Sequence, residues 1–432
     1  MAKHMNPFPL VDEKSRNGLR TLFLPRSEGE TVTLMALIGV GSRYETPRQS
    51  GLSHFLEHMF FKGTATRPDK REIAEVLDRV GADFNAFTAE ELTAYYVKVP
   101  SEHLSLAADV VSDILLRSLF PAEEIEREKG VIKEEIRMYT DTPMRHVHHL
   151  WMQTLYGDHP LGRRIDGSIE TVRTFRRSDF VRYTNRHYHT GNAIIAAAGR
   201  FDLASTRKLV HRAFAPLSVG AATMPRRAPR AVPAQRFVHE RRASLDQSHL
   251  IVGVPGTDVH DPRRTAAELL ATVLGGGMSS RLFLRVREEH GLAYSVRMYS
   301  ENFVDSGSLM VQAGLRVDKA SAALQLISEE FDRVIQEPVP AAELDKAKQI
   351  LRGRMVMGLE ETNAMAIFAG GQALLEGRVR TPEELWDEAA AVTPDELQAA
   401  AQELLAPPRR AAALLGPHKS VRAFTAVLDR AL

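Results

Sequence analysis

Five stretches come nearest to an alternating apolar and polar pattern: Thr31 to Gly39, Thr93 to Val99, Ala193 to Gly199, His249 to Val254 and Ser308 to Gly314. Such alternation predicts strands. Between them the apolar positions recur every three or four residues, which predicts helices over Gly51 to Phe61, Lys70 to Val80, Glu102 to Leu116 and Ala122 to Tyr139. The same period returns over Ala266 to Leu274, Ser321 to Val334 and Ala341 to Leu359. Strands and helices do not alternate regularly as they would in a doubly wound sheet. The expected class is therefore α+β, with mixed or antiparallel sheets packed by helices.

The pattern also repeats. PAEEIEREKGVIKEEIRMYTDTP begins at Pro121 and PAAELDKAKQILRGRMVMGLEET at Pro340, an offset of 219 residues. TLMALIGVGSRYETPRQSGLSHFLEH aligns with SHLIVGVPGTDVHDPRRTAAELLATV, pairing Pro47 with Pro262 at an offset of 215. Two matches near half the chain length predict a duplicated domain. The expected division is 1–215 and 234–432, joined by a linker over 216–233 that is rich in Pro, Ala and Arg and lacks periodicity.

Composition narrows the function classes. Lysine plus arginine (56) nearly cancels aspartate plus glutamate (55) over 432 residues, so the electrostatic footprint of a nucleic-acid binder is missing. The linker arginines Arg226, Arg227 and Arg230 read as solvated surface. With no cysteine, disulfides, thiolate metal sites and thiol nucleophiles are excluded, and His, Asp and Glu remain as possible metal ligands. No stretch reaches the roughly 18 apolar residues of a membrane span. The opening MAKHMNPFPLVDEKSRNGLR has no signal-peptide core. The expected compartment is the cytoplasm, or the periplasm if MAKHM stands where an export signal was.

The sharpest local signal is His54-Phe55-Leu56-Glu57-His58. On a helix, His54 and His58 project from one face, close enough for both imidazoles to reach one ion, and Glu57 lies at the edge of that face. A metal-activated water needs such a carboxylate as its base. Sixteen histidines and an ordinary share of glutamates would produce H-x-x-E-H by chance roughly 0.04 times in this length. Leu52, Phe55, Leu56, Met59, Phe60 and Phe61 make the segment apolar nearly all round, so its polar groups must be paired, metal-bound or facing a cavity. A third ligand must come from elsewhere, and the acidic helix from Ala122 to Tyr139 offers Glu128 and Glu135, seven apart, besides Glu124 and Glu134. Spacing alone leaves these four open. In the second repeat, Leu269, Thr272, Val273 and Arg354 stand opposite His54, Glu57, His58 and Glu135, so that copy has lost every candidate metal group.

H-x-x-E-H followed by an E-x6-E helix resembles the inverzincins, the pitrilysin-type zinc metallopeptidases, and in particular their short, two-domain, processing-peptidase branch. The likeness extends over nearly the whole chain. It implies half of a clamshell chamber and one Zn2+ per chain, with His54, His58 and Glu135 as ligands, Glu57 as general base and Glu128 bracing the ligand set from outside. GADFNAFTAEELTAYY resembles the family's edge strand, in which Asn85 and Ala86 hold an extended substrate by main-chain pairing. GGGMSSRLFLRVREEHGLAYSV resembles the family's R-x6-Y element, which gives Arg287 and Tyr294 a part in stabilising charge at the scissile carbonyl. Gly275, Gly276 and Gly277 read as a turn at a helix end. His146, His148 and His149 read as a continuation of the Glu135 helix, with His146 near the ligands.

The implied activity is zinc-dependent endopeptidase cleavage of extended or unfolded peptides. A homodimer is the expected assembly, and a heterodimer with a degenerate paralogue is the alternative. The rival functions are a non-catalytic subunit and a chaperone-like chamber of the same fold; the four intact groups favour the enzyme.

Overall fold

The computed structural model describes residues 8–223, 228–229 and 232–430. MAKHM and the linker residues Arg226, Arg227 and Arg230 lie outside the described residues.

Two compact units emerge. One holds residues 1–136, 164–226 and 356–383; the other holds 137–163, 227–355 and 384–432. The first is built on strands β1 (Val11–Lys14), β2 (Arg20–Pro25), β3 (Thr31–Ile38), β4 (Asp83–Thr88), β5 (Thr93–Pro100) and β6 (Ala193–Gly199), in the order β1-β2-β6-β3-β5-β4. β2 and β6 run parallel and the other pairings are antiparallel. The second is built on β7 (Phe237–Arg241), β8 (Gln247–Pro255), β9 (Ala293–Asn302), β10 (Gly307–Arg316) and β11 (Ala411–Gly416), in the order β7-β11-β8-β10-β9. Here β7 and β11 run parallel and the other pairings are antiparallel. From β2 onward the two sheets therefore share order and direction strand for strand. The sequence repeat is a repeat of topology, and the class is α+β with mixed sheets.

The first unit's helices include α1 (Leu52–Met59), α2 (Lys70–Asp78), α3 (Leu104–Arg117) and most of α4 (Ala122–Asp141). β3 shows why its sheet is covered on both faces. Leu34, Ala36 and Ile38 join Phe55, Leu56 and Met59 of α1 and Val110, Val111 and Ile114 of α3 in one core. Met35 and Leu37 point the other way, toward Met365, Ala366, Ala369 and Ala373 of the helix Thr362–Leu375. With a side-chain period of two, burying both faces requires apolar residues at successive positions, as TLMALI has. The second unit repeats this. Leu250, Val252 and Val254 of β8 pack on Leu269, Leu270 and Val273 of the helix Arg264–Gly275. Ile251, Met310 and Leu415 meet Val147, Trp151 and Leu155 of α5 (Pro143–Tyr156). Thus α5, encoded in the first repeat, covers the second sheet, and Thr362–Leu375, encoded in the second, covers the first.

Candidate metal centre

α1 carries the H-x-x-E-H residues, and the chain ahead of it sets its position. Its N-cap is Gly51 at φ +92°, and a Cβ there would stand 2.7 Å from the Asp166 carbonyl oxygen, so glycine is required twice over. Glycine has no capping side chain. Glu45 replaces it, accepting from Gly51 N–H at 2.8 Å and Ser53 N–H at 2.6 Å, and placing negative charge at the helix's positive end. Phe55 packs against Phe180 at 4.9 Å between ring centroids, and Phe60 against Tyr95 at 4.9 Å. Buried aromatic rings on one side leave the histidines on the other.

The His54 and His58 rings lie 4.8 Å apart. α4 presents Ile125, Ile132 and Ile136 to the core, and that stripe also carries the buried Glu128, with Glu135 on its margin. Glu135 Oε2 lies 3.6 Å from His54 Nε2 and 3.4 Å from His58 Nε2. Among the described residues, His54, His58 and Glu135 are the group of three whose donor atoms converge closely enough for one metal ion, all within 4.8 Å of one another. Of the four candidate carboxylates, Glu134 is exposed, and Glu124 is held by Lys70 at 2.8 Å.

Glu128 lies behind the pair, with its Oε2 3.1 Å from His58 Nδ1 and its Oε1 2.7 Å from Lys62 Nζ. A carboxylate only accepts, so His58 Nδ1–H donates to Glu128, and Nε2, which faces Glu135, is the nitrogen that would give up its proton to bind a metal. Burial opposes charging His58, but its bonds to Glu128 and Glu135, with the nearby Glu57, raise its pKa to about 9. Burial, and then the neighbouring His58, push His54 below the ordinary histidine value. Burial works against Glu128's charge as well, yet His58 and Lys62 hold its carboxyl below the usual range. Two imidazole nitrogens and one carboxylate oxygen are the donor set of a catalytic zinc site with an open position, so these residues fit that ion. His54 Nδ1, buried without a hydrogen-bond partner, shows that this ring is not already engaged on its other side.

Glu57 is half-buried, and its Oε2 accepts from the Thr88 hydroxyl at 2.6 Å. Thr88 ends β4, an edge strand of its sheet. Asn85 is exposed on that strand and Ala86 buried, and Asn85 Oδ1 accepts from the Ala86 N–H at 2.8 Å. Spacing singled out neither Thr88 nor Lys62. Their signals are local: Lys62 follows His58 by four residues, and Thr88 falls two after Ala86, on the same strand face.

In the second unit, Arg287 lies in a π-helical stretch, Phe283–Glu289, with its guanidinium 4.7 Å from the centre of the Phe283 ring and 5.8 Å from that of Tyr294. π-Helical turns are rare and often mark functional positions. Arg287, the exposed Tyr294, Gly275 to Gly277 and Arg354 line an open cavity of about 600 Å³. The glycines stand at the end of the helix Arg264–Gly275, where the sequence reading placed a turn.

The histidines after Glu135 are placed differently from the sequence reading. α4 stops at Asp141, and Pro143 opens α5, because proline disfavours helical backbone in the residue before it and cannot supply a helical N–H. His146 is buried in the second unit, 2.6 Å from Glu240 Oε2, and His148 lies 3.1 Å from Glu301 Oε1. Neither belongs to the converging group.

Residues 21–168 match the family model described as insulinase (peptidase family M16), and residues 174–351 match that of the peptidase M16 inactive domain. The chain is 39% identical over 413 residues to an uncharacterized zinc protease of Streptomyces coelicolor, covering 94% of this chain and 89% of that relative. It is 37% identical over 393 residues to the uncharacterized zinc protease YmxG of Bacillus subtilis, covering 90% and 94%. A solved protease from Helicobacter pylori shares the fold with a TM-score of 0.89 at 21% identity, over 94% of this chain and 99% of that one. Identity above one third along nine-tenths of the chain, with family models matching in both repeats, is more than a common architecture accounts for: the chain belongs to peptidase family M16, of the insulinase or pitrilysin type.

Proposed function

We propose that this chain is a zinc-dependent endopeptidase that cleaves extended or unfolded peptides, with one ion held by His54, His58 and Glu135. The observation that carries this is the convergence of those three donors beside a carboxylate, Glu57, that is not part of the set. Zinc bound there would supply Lewis acidity, lowering the pKa of a water molecule and polarising a carbonyl. Glu57 then takes one proton from the attacking water and delivers it to the leaving amine, so one residue serves as base and acid in turn. Glu128, bonded to His58 and neutralised by Lys62, keeps the imidazole in the tautomer that presents Nε2. Asn85 and Ala86 on the β4 edge are the main-chain platform for the substrate, which favours peptides able to adopt a strand over folded proteins. Arg287 and Tyr294 are substrate-holding donors contributed by the second repeat, and their cationic and phenolic groups suit a developing oxyanion.

The family resemblance extends the reading to a homodimer in the cytoplasm. Among the described residues, no helix is long and apolar enough to cross a membrane. Sedimentation velocity tests the assembly, a single species of two chains being the expected result. A cleavage map on one polypeptide, native and then denatured, tests the substrate class. The denatured form should be cut at several sites and the native form left largely intact; equal cutting of both would remove the strand-pairing argument.

A further inference from the structure

The turn closing the β4–β5 hairpin is held more firmly than a surface turn needs. Ala89 N–H donates to the Leu92 carbonyl at 2.8 Å, while the carbonyls of Ala89 and Glu90 accept from Ser42 N–H at 3.3 Å and Arg43 N–H at 2.9 Å. Arg43 and Glu91 form a buried ion pair across the same contact. Gly41 lets the two backbones meet, since a Cβ on it would lie 2.1 Å from the Ala89 carbonyl oxygen. Thr93, at the far side of the turn, bonds its hydroxyl to the Val40 carbonyl at 2.8 Å. Water satisfies the polar groups of an ordinary turn, and burying an ion pair costs desolvation, so this clamp fixes something that matters. What it fixes is Thr88, in register with Thr93 and donating to Glu57.

We propose that Thr88 is a positioning residue for Glu57, and that the clamped turn makes the substrate-binding strand and the proton carrier one rigid piece. This rests on the peptidase reading. The hydroxyl has one proton to donate and a carboxylate only accepts, so the bond occupies Oε2 and leaves Oε1 to exchange a proton with water. When Oε1 carries that proton, Oε2 still accepts, and the tether holds through uptake and delivery alike. Without it the terminal torsion of Glu57 has a broad, roughly two-fold profile. A misplacement of about 1 Å in a reacting group can lower a rate by about a hundredfold.

The test compares wild-type protein with Thr88→Val, which keeps the shape and removes the hydroxyl, and Thr88→Ser, which keeps the hydroxyl. Zinc-loaded proteins are assayed on a quenched, unstructured peptide, and zinc-loaded crystals of each are solved. Thr88→Val should lower kcat by about tenfold to a hundredfold, with KM, zinc content and Tm close to wild type, and Thr88→Ser should recover most of the lost rate. In the Thr88→Val crystals the Glu57 carboxylate should leave its Thr88-facing orientation. Wild-type kcat in Thr88→Val, a Ser variant as impaired as the Val variant, or an unmoved Glu57 would overturn the proposal. A wild-type enzyme that turns over no peptide would overturn the peptidase reading instead, and the crystals would still decide whether Thr88 holds Glu57.

Discussion

At the scale of single residues, the site depends on each carboxylate having one task. Glu135 faces both histidine Nε2 atoms, Glu128 faces one Nδ1, and Glu57 faces neither ring but accepts from Thr88. Glu135→Gln should therefore abolish tight zinc retention, because an amide is a poor substitute for an anionic ligand, while Glu134→Gln, at an exposed position one residue away, should leave it intact. Metal analysis after dialysis against a weak chelator checks this; zinc lost from Glu134→Gln and kept by Glu135→Gln would show the register to be wrong by one. His54, Glu57 and His58 were legible because their relation is local, four residues along one helix. The third member of the converging group was not, since any of four carboxylates could meet that face and only tertiary packing chooses. Lys62 and Thr88 escaped for the same reason: their partners lie 66 and 31 residues away in sequence.

Elements are positioned by buried charge as much as by apolar stripes. Arg43 and Glu91 are almost wholly buried, and removing one of them takes a counter-charge away from a buried ion. Glu91→Ala should cost about 3–5 kcal/mol, and replacing both residues with apolar ones of similar volume should cost less, as read from urea denaturation. A single variant no less stable than the double one would contradict this account of the turn. Asp113, in α3, is a second case. Burial raises its pKa, but bonds from Thr64, Thr66, Arg117 and Arg67 outweigh that and hold its carboxyl below the ordinary aspartate value. A folded-state pKa below the unfolded one means that the stabilisation is present above the unfolded value and disappears as pH falls through the folded one. Wild type should thus lose stability more steeply than Asp113→Asn as pH drops below about 4; parallel acid-denaturation curves would remove Asp113 from the account. β3, β5, β6, β8 and β10 were readable from the pattern, as were α1 to α4. β1, β2, β4, β7, β9 and β11 were not: β1, β4, β7 and β9 are edge strands with polar residues toward solvent, and β2 and β11 are only six residues long. The break before Pro143 was visible in the sequence, but an apolar stripe runs on across it in α5, which is why the histidines there looked like a continuation of α4.

For the whole molecule, the two offsets in the sequence correspond to two sheets of one topology, and the loss of His54, Glu57, His58 and Glu135 equivalents divides the repeats into one that carries the candidate metal group and one that does not. What periodicity cannot carry is the exchange of α5 and Thr362–Leu375, because an amphipathic helix records that it has a partner and not which sheet that partner is. Trp151 of α5 shows what the exchange contributes: it is fully buried, and its Nε1–H donates to Ser308 Oγ at 2.8 Å. Trp151→Ala should lower stability by about 3–5 kcal/mol while leaving zinc stoichiometry unchanged, since the proposed ligands belong to the other unit. Parallel loss of zinc would argue that the two cores are not independent. The near-zero net charge agrees with the proposed substrate class, since a generic extended peptide calls for no strong field of either sign. The central claim is that His54, His58 and Glu135 hold a zinc ion beside Glu57 in order to hydrolyse peptides. The most direct test is turnover of an unstructured quenched peptide by zinc-loaded wild type against zinc-loaded Glu57→Gln. The account predicts cleavage by the wild type and a loss of at least about a hundredfold in the variant at equal zinc content; a fully loaded wild type that leaves the peptide intact, or a variant that cuts it equally well, would contradict it.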